Sequence, residues 1–411
     1  MTLIIFFGIV SMRGLFGVFL LLLGFGVSYA VLWSVRAKIN EFLLHLPFEK
    51  RKRGFYGLAR CENNNMITVI GATILLGIIG WIYQRLMKAP PPKTIYGLAN
   101  GPPLTSPRVK LHDGRHLAYK ELGVPKEEAQ HKIIVCHGYE NCKDMDLPIS
   151  QEVLEELKVY LLLYDRAGYY ESDPNPSRSV KTEAFDIQEL ADRLELGSKF
   201  YVIGCSIGTY PIWACLKYIP HRLLGASLVV PIVNFWWPSF PSALSQHSFE
   251  KLPKSYKRTY TIAYYTPWLI NWWMTQKWFP VLEREGMSLI SDLTISTRML
   301  ELPGLKNALR QGEHESIHRD LVCTYGKWEF DPMELTNPFP DNKGSVHMWQ
   351  GSQDRVVPIE LNRFIAQKLP WIQYHELPNY GHLLIHEPPN FELILRALLV
   401  VDPNCAADIH Q

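Results

Sequence analysis

Three side chains that lie far apart in the sequence have the types that nucleophilic acyl transfer requires, namely Ser206, Asp354 and His382. Ser206 stands at the centre of Gly204-Cys205-Ser206-Ile207-Gly208, directly after an apolar run that is typical of a buried strand. A serine hydroxyl is a poor nucleophile until a base removes its proton, and that base needs an acid to orient it. The order serine, acid, histidine therefore predicts a Ser-His-Asp triad.

The candidate acid and base each come after a predicted strand. Asp354 follows the apolar run at 346–350, and His382 follows the run at 373–377. Because the carboxyl ends of parallel strands meet at one edge of a sheet, we expect both side chains to reach the serine there. His386, one helical turn further along the chain, remains an alternative base.

The oxyanion that forms when a serine attacks a carbonyl group needs backbone N–H donors beside it. We expect the first donor on Ile207, the residue after the serine. We expect the second on Tyr139, in the loop His137-Gly138-Tyr139 that follows a predicted strand at 132–136. The Tyr139 side chain would then face the same pocket, which makes it a candidate substrate contact.

The sequence also contains His314-Glu315-Ser316-Ile317-His318, which has the His-Glu-x-x-His spacing of zinc proteases. On a helix this spacing would place both histidines on one face. A third ligand at a recognisable spacing does not follow in the sequence. We therefore expect no metal site.

The strand pattern predicts an α/β fold with a mostly parallel sheet. Asp113-Gly114 lies between the runs 108–111 and 115–121 and predicts a hairpin turn. Further short apolar runs alternate with helix-compatible segments, which indicates parallel strands with helices on both faces. One of these helices is predicted at 188–196, with Gly197 as its C-cap.

An insertion rich in tryptophan and tyrosine follows the predicted strand at 226–230 and extends over about 235–342. An aromatic, mostly helical segment in this position suits a cap over the strand ends, where ligands bind in open α/β sheets. We expect most of these rings to pack the cap against the sheet. Trp236 and Trp237 are the candidate substrate contacts within it, beside Tyr139.

Length, charge and cysteine content exclude several classes of protein. The chain has 411 residues, which leaves room for one large α/β domain and extra segments. Its net charge of +2 argues against a nucleic-acid binder, because no broad basic face is implied. Its seven cysteines are odd in number and lack the spacing of disulfide or metal sites. No pattern predicts a cofactor.

Residues 1–93 predict a membrane-anchor region. The uncharged run at 14–33 is long enough to span a bilayer, and the run at 66–83 is near the lower limit for a span. A basic connector separates the two runs. The proline-rich linker Pro90-Pro91-Pro92 then leads to the folded domain at 94–411.

The fate and orientation of this region stay open. Ser28-Tyr29-Ala30 has the form of a signal-peptide cleavage site, although the apolar stretch is longer than a signal peptide. The positive-inside rule would place the basic connector in the cytosol and the large domain across the membrane, whereas the cysteine count favours the opposite side. We expect attachment to an endomembrane such as the endoplasmic reticulum.

Together these motifs resemble those of the α/β-hydrolase fold superfamily, and more narrowly those of plant α/β-hydrolases that carry an N-terminal membrane segment. The resemblance runs from about Met66 to the C-terminus. Beyond the motifs above, it rests on Asp165-Arg166-Ala167-Gly168-Tyr169, Ser172-Asp173 and Lys327-Trp328-Glu329-Phe330-Asp331-Pro332. Tyr170 departs from the pattern, since such proteins usually have glycine there, and residues 1–65 lie outside it.

The resemblance implies a serine hydrolase whose triad is Ser206, Asp354 and His382. We expect an ester hydrolase of the esterase or lipase type that acts on a small-molecule acyl ester or a lipid-like substrate, without cofactor or metal. The serine argues against epoxide hydrolases and dehalogenases, which resemble this fold but place an aspartate at that position. Two other functions remain open, a small-molecule receptor with little turnover and an acyltransferase.

Overall fold

The computed structural model describes residues 74–75, 77–78, 80–81, 92–94, 96–97, 101–277, 279, 290–341 and 343–399. The chain divides into two units, Met1–Arg85 and Leu86–Gln411. In the first unit, the described residues are helical. The second unit contains the sheet and the candidate site.

The predicted membrane spans fall mainly outside the described part of the chain. Residues 14–33 lie outside it altogether, and only six residues of 66–83 lie within it. Among the residues that the structure describes, no helix is long and apolar enough to cross a membrane. The structure therefore gives the transmembrane segments no support, and they stay predictions.

The second unit is built on one eight-stranded sheet. Its strands are β1 (Arg108–Lys110), β2 (His116–Gly123), β3 (His131–Cys136), β4 (Val159–Tyr164), β5 (Phe200–Cys205), β6 (Leu223–Val229), β7 (Val346–Gly351) and β8 (Ile372–Leu377). The strand order is β1-β2-β4-β3-β5-β6-β7-β8. β2 pairs antiparallel with β1 and β4, and all other neighbours are parallel. The predicted mostly parallel sheet is confirmed.

Helices connect the parallel strands. They are α1 (Gln151–Glu156), α2 (Val180–Arg193), α3 (Thr209–Tyr218), α4 (Ser242–Lys251), α5 (Lys254–Tyr265), α6 (Ile270–Met274), α7 (Ile290–Glu301), α8 (Pro303–Asn307), α9 (Arg319–Tyr325), α10 (Ile359–Lys368) and α11 (Asn390–Leu399). α4 to α9 lie in the insertion between β6 and β7.

The sheet is buried on both faces. Every residue of β4 and β5 is buried, as the continuous apolar runs of a covered parallel sheet require. On one face, Leu162 and Val202 share a core with side chains of α2 and α3. On the other face, Leu161 and Ile203 share a core with side chains of α1 and α11.

The predicted hairpin and the predicted helix at 188–196 agree with the structure to different extents. The hairpin is confirmed, and Gly114 adopts a φ of +91° in its turn. The helix predicted at 188–196 is confirmed in type but spans Val180–Arg193, and its C-cap is Leu194 instead of Gly197. Ser179 and Thr182 cap each other at its N-terminus, because each side chain accepts the other residue's backbone N–H.

The topology places a crevice at the carboxyl end of β3. β3 has β4 as its neighbour on one side and β5 on the other. The connections before and after β4 therefore run in opposite directions across the sheet. Such a reversal opens the space beyond the carboxyl ends of the two strands. β3 ends at Cys136 and β5 at Cys205, so the loop 137–139 and Ser206 both emerge at this crevice.

Candidate active site

Ser206 lies on a strained turn between β5 and α3. Its φ is +52°, a left-handed conformation that costs a non-glycine residue roughly 1–2 kcal/mol. A Cβ on Gly204 would lie 2.4 Å from the Gly208 carbonyl oxygen, and a Cβ on Gly208 would lie 2.4 Å from that of His137. Only glycine fits at either position, so the Gly-x-Ser-x-Gly spacing is a packing requirement of the turn.

His382 lies within reach of the serine hydroxyl. The loop that follows β8 brings its Nε2 to 2.8 Å from Ser206 Oγ, close enough to accept the hydroxyl proton. Its Nδ1 lies 2.8 Å from Asp354 Oδ2, to which it donates. The structure thus brings the three predicted side chains together as a chain of hydroxyl, imidazole and carboxylate.

The Asp354 carboxylate is fixed by further hydrogen bonds. It accepts from the Gln350 side-chain amide at 2.8 Å, and from the backbone N–H groups of Val356 and Val357 at 2.8 and 3.0 Å. These bonds leave the carboxylate one orientation, facing the imidazole. Sequence reasoning missed Gln350, although a polar side chain at the buried end of an apolar strand was a signal.

The pKa of His382 is raised above its usual value of 6.5. Burial lowers this pKa, because a buried imidazole loses the hydration of its charged form. Two carboxylates outweigh burial: Asp354 acts through its charge and its hydrogen bond, and Asp292 acts through its charge. His382 is therefore suited to hold a proton taken from the serine.

His386, the alternative base, faces a different group. It is buried, and its Nδ1 donates to the Asp146 carbonyl oxygen. Burial lowers its pKa, which favours the neutral ring. The structure brings His382, and not His386, to the serine hydroxyl.

The His-Glu-x-x-His stretch forms a π-helical turn, His314–His318, in the insertion. Its two imidazoles stack with centroids 4.2 Å apart, and the Glu315 carboxylate pairs with Arg319. Within the described ranges, no group of three or more His, Cys, Asp or Glu residues could hold a metal ion. The contacts of this stretch are packing contacts within the insertion.

A cavity that is open to solvent lies in front of the serine, with about 430 Å³ of space when its open part is counted. Its lining consists of Tyr139, Ser206, Ile207, Ile232, Tyr256, Tyr260, Leu321, Tyr325, Val356 and His382. The rings of Tyr260 and Tyr325 stack with centroids 3.7 Å apart and form one wall. The lining is mostly apolar away from the serine and histidine, so it suits an uncharged apolar group.

Trp236 and Trp237 lie outside this lining. Trp236 stacks on Tyr264 with centroids 4.5 Å apart. Trp237 is 4% exposed and packs against Trp213 and Trp328. Trp236 packs within the insertion, and Trp237 joins the insertion to α3 through Trp213. The prediction that these two rings contact substrate therefore has no support in this geometry. Tyrosines of α5 and α9 line the cavity instead.

A buried arginine holds the loop after β3. Arg166 Nη2 donates to the Gly138 carbonyl oxygen at 3.2 Å, and the Arg166 backbone N–H donates to His137 Nε2 at 3.1 Å. Burial and the Arg166 charge hold the pKa of His137 well below its usual value, so its ring is neutral. Tyr139 and Ile207 line the cavity with the serine, and their role as oxyanion donors stays a prediction.

Tyr170 has a structural reason for departing from the glycine pattern. Its φ is +37°, a conformation that glycine adopts at lower cost. Its backbone N–H donates to the Ala308 carbonyl oxygen at 2.9 Å, and the Lys143 ammonium lies 4.0 Å from its ring centroid. Tyr170 therefore ties the loop after β4 to the insertion and lies outside the cavity lining.

A family model described as "alpha/beta hydrolase fold" matches residues 132–389, more than half of the chain. The chain belongs to the α/β-hydrolase fold family. The match includes the sheet from β3 to β8, the insertion and the side chains of Ser206, Asp354 and His382. The narrower likeness to plant membrane-anchored members is not shown. No curated protein matches this α/β-hydrolase.

Solved structures that are similar to this chain include two esterases and an enol-lactonase. A thermophilic esterase from Thermogutta terrifontis is 18% identical with a TM-score of 0.48, over 72% of this chain and 98% of that chain. An esterase from Rhodococcus sp. is 16% identical with a TM-score of 0.48, over 72% and 98%. An enol-lactonase from Burkholderia xenovorans is 15% identical with a TM-score of 0.46, over 71% and 99%. Likeness at this level assigns no activity to this chain.

Proposed function

We propose that this α/β-hydrolase is a serine esterase that cleaves carboxylic esters through an acyl-enzyme intermediate. The observation that carries the proposal is the 2.8 Å hydrogen bond from the Ser206 hydroxyl to His382, whose other ring nitrogen lies 2.8 Å from Asp354. These distances match those that proton transfer from a nucleophile to its base requires. Membership of a hydrolase family supports the same reaction class.

The arrangement supports a two-step reaction. Ser206 Oγ attacks the ester carbonyl carbon while His382 Nε2 takes the hydroxyl proton, and Asp354 stabilises the imidazolium. The N–H groups of Ile207 and Tyr139 bind the oxyanion. The bond to the alcohol oxygen then breaks, and His382 returns the proton to that oxygen. Water repeats the sequence on the acyl-enzyme and releases the acid.

Two cavities suit the two parts of an ester. The first cavity, with the Tyr260 and Tyr325 wall, would take the apolar acyl group. A second cavity, also open to solvent, shares Tyr139 with the first and is lined by Met299 and Lys306, among others. Tyr139 lies at both, so the alcohol part would extend past it into the second cavity.

A series of p-nitrophenyl esters of increasing acyl length tests this assignment. We expect kcat/KM to rise about fourfold for each added CH2, because each buried CH2 contributes about 0.8 kcal/mol. The rise should end where the chain reaches the stacked rings of Tyr260 and Tyr325. Tyr325→Ala removes one of these rings and should move the optimum to longer chains.

Tyr264→Ala is the matched control for Tyr325→Ala. Tyr264 is a tyrosine of the same insertion, but it stacks on Trp236 outside the cavity lining. Its chain-length profile should therefore match that of the wild type. An unchanged optimum in folded Tyr325→Ala would contradict the acyl assignment, and failure to hydrolyse any ester would contradict the proposed function.

The raised pKa of His382 predicts the pH dependence. The ring must be neutral to accept the serine proton, so kcat/KM should fall as the pH drops through this pKa. The acidic limb should have its midpoint above pH 6.5, since the pKa lies above that value.

Asp354→Asn should lower the midpoint and reduce kcat by about 10⁴-fold. A wild-type midpoint below pH 6.5 would refute the assignment of His382 as the base.

Product analysis separates the esterase from the two other functions. An acyltransferase would pass the acyl group to an added alcohol faster than to water, which mass spectrometry of the products detects. A receptor would bind esters without releasing acid. We expect free acid as the main product even with alcohol present.

A further inference from the structure

The loop that carries the catalytic histidine is held by a helix of the insertion. Asp292, in the first turn of α7, is 3% exposed. Its Oδ2 accepts the backbone N–H of His382 at 3.1 Å, and its Oδ1 accepts that of Leu383 at 3.0 Å. One carboxylate therefore binds two successive N–H groups, and the first belongs to the histidine itself.

The geometry explains why a carboxylate occupies this position. A buried carboxylate is costly unless polar partners replace its water. Here the two N–H groups are such partners, and the N-terminal turn of α7 adds the favourable end of the helix dipole. A side-chain amide has one acceptor oxygen and could not accept both N–H groups in this way. Aspartate is thus matched to the two donors.

α7 makes a second polar attachment to the same loop. Arg298, near its other end, donates to the His386 carbonyl oxygen at 3.2 Å and pairs with Asp146 at 2.6 Å. Ile295, which lies between the two attachments, and Met299, which follows Arg298, pack against Leu383. The helix therefore holds the loop at His382 and Leu383 and again at His386.

We propose that Asp292 is a positioning residue, through which the insertion sets the placement of the catalytic base His382. The inference rests on the proposed function. Proton transfer needs Nε2 at 2.8 Å from Ser206 Oγ, and the ring can hold that distance only if its backbone is fixed. Asp354 orients the ring, and Asp292 fixes the backbone from which the ring projects.

The charges around the histidine allow this role to be measured. The ionisable groups on its loop and on the elements packed against that loop are Asp292, Asp354, His386, Glu387, Arg298 and Asp146. Of these, Asp354 and Asp292 raise the pKa of His382 against the effect of burial. Loss of the Asp292 charge should therefore lower that pKa, whereas loss of packing would leave the charge in place.

Asp292→Asn separates positioning from packing. The amide loses the charge and one of the two acceptors. On the pH plateau, we expect kcat/KM for a p-nitrophenyl ester to fall about tenfold or more, since a misplacement of 1 Å can cost about 100-fold. We expect the acidic limb to move to lower pH, because the Asp292 charge raises the pKa of His382. A packing defect would lower the plateau and leave the limb where it was.

Three variants serve as controls. Glu301→Gln removes an exposed carboxylate from the same helix and should change neither plateau nor limb. Arg298→Gln breaks the other attachment but keeps the Asp292 charge, so it should lower the plateau and leave the limb unchanged. Asp292→Glu keeps the charge on a longer side chain, so it should also lower the plateau and spare the limb.

The outcomes distinguish this inference from the proposed function. If Ser206→Ala remains active, the proposed function fails. If Ser206→Ala is inactive and folded Asp292→Asn has the wild-type plateau and limb, the positioning role of Asp292 fails. Should Asp292→Asn not fold, Asp292→Glu decides the matter, because a wild-type plateau in that folded variant would overturn the inference.

Discussion

Ser206→Ala should reduce ester hydrolysis by about 10⁴-fold to 10⁶-fold in protein that folds normally. The substitution removes the attacking oxygen, and the oxyanion donors alone would support only a small residual rate. Alanine keeps the Cβ, so the packing of the turn between Gly204 and Gly208 is preserved. The comparison requires kcat for one p-nitrophenyl ester, with circular dichroism and thermal unfolding as checks on folding.

Ser206→Gly is the control for the strain at this position. Glycine adopts the φ of +52° without the steric cost that serine incurs. We expect this variant to be as inactive as Ser206→Ala but more stable than it, by about 1 kcal/mol. Near-wild-type activity in either variant would remove Ser206 from the reaction, and a less stable Ser206→Gly would contradict the strain.

Asp320→Ala should lower the free energy of unfolding by about 3–5 kcal/mol. Asp320, on α9, accepts from Arg166 at 2.7 Å and also pairs with Arg178, and all three side chains are fully buried. Removing the carboxylate leaves two buried guanidinium groups without the anion that they share. Denaturant unfolding of the folded variant and the wild type measures the difference.

The same buried cluster of Asp320, Arg166 and Arg178 predicts a pH dependence of stability. Burial raises the pKa of Asp320, but Arg166 and Arg178 outweigh burial and lower it from 3.8 to about 2. The stabilisation should be complete above about pH 4 and disappear as the pH falls towards 2, because the unfolded carboxyl group protonates first.

Glu156→Gln provides the matched control, since it breaks the Arg396 pair on the exposed surface. We expect it to change stability by less than about 1 kcal/mol. If Asp320→Ala lowers the free energy of unfolding by no more than Glu156→Gln does, the account of the buried cluster is contradicted.

Asp320→Ala should also reduce activity, because Arg166 holds the Gly138 carbonyl oxygen beside the cavity.

The sequence allowed the central arrangement to be predicted because local packing constrains it. Gly204 and Gly208 are required by close backbone contacts, and Asp354 and His382 each follow an apolar strand of a parallel sheet. Strand ends on one edge converge whatever the intervening sequence contains. Residue type and position along the strands were therefore sufficient to predict that the three side chains lie together.

The contacts of the insertion could not be predicted in the same way. Asp292 and His382 are 90 residues apart, and Arg166 and Asp320 are 154 residues apart. No periodic pattern links residues at such separations. Aromatic content suggested Trp236 and Trp237 as substrate contacts, but it could not indicate that both rings lie outside the cavity lining. The cavity tyrosines of α5 and α9 had no signal that distinguished them from the other aromatic residues of the insertion.

Labelling of the folded full-length protein with a fluorophosphonate, followed by mass spectrometry of its peptides, tests the central claim most directly. The reagent forms a stable bond with a serine that a neighbouring histidine activates. We predict one adduct per chain, on the peptide that contains Ser206, and none in Ser206→Ala. Folded wild-type protein that stays unlabelled, or that carries the adduct on another residue, would contradict the account.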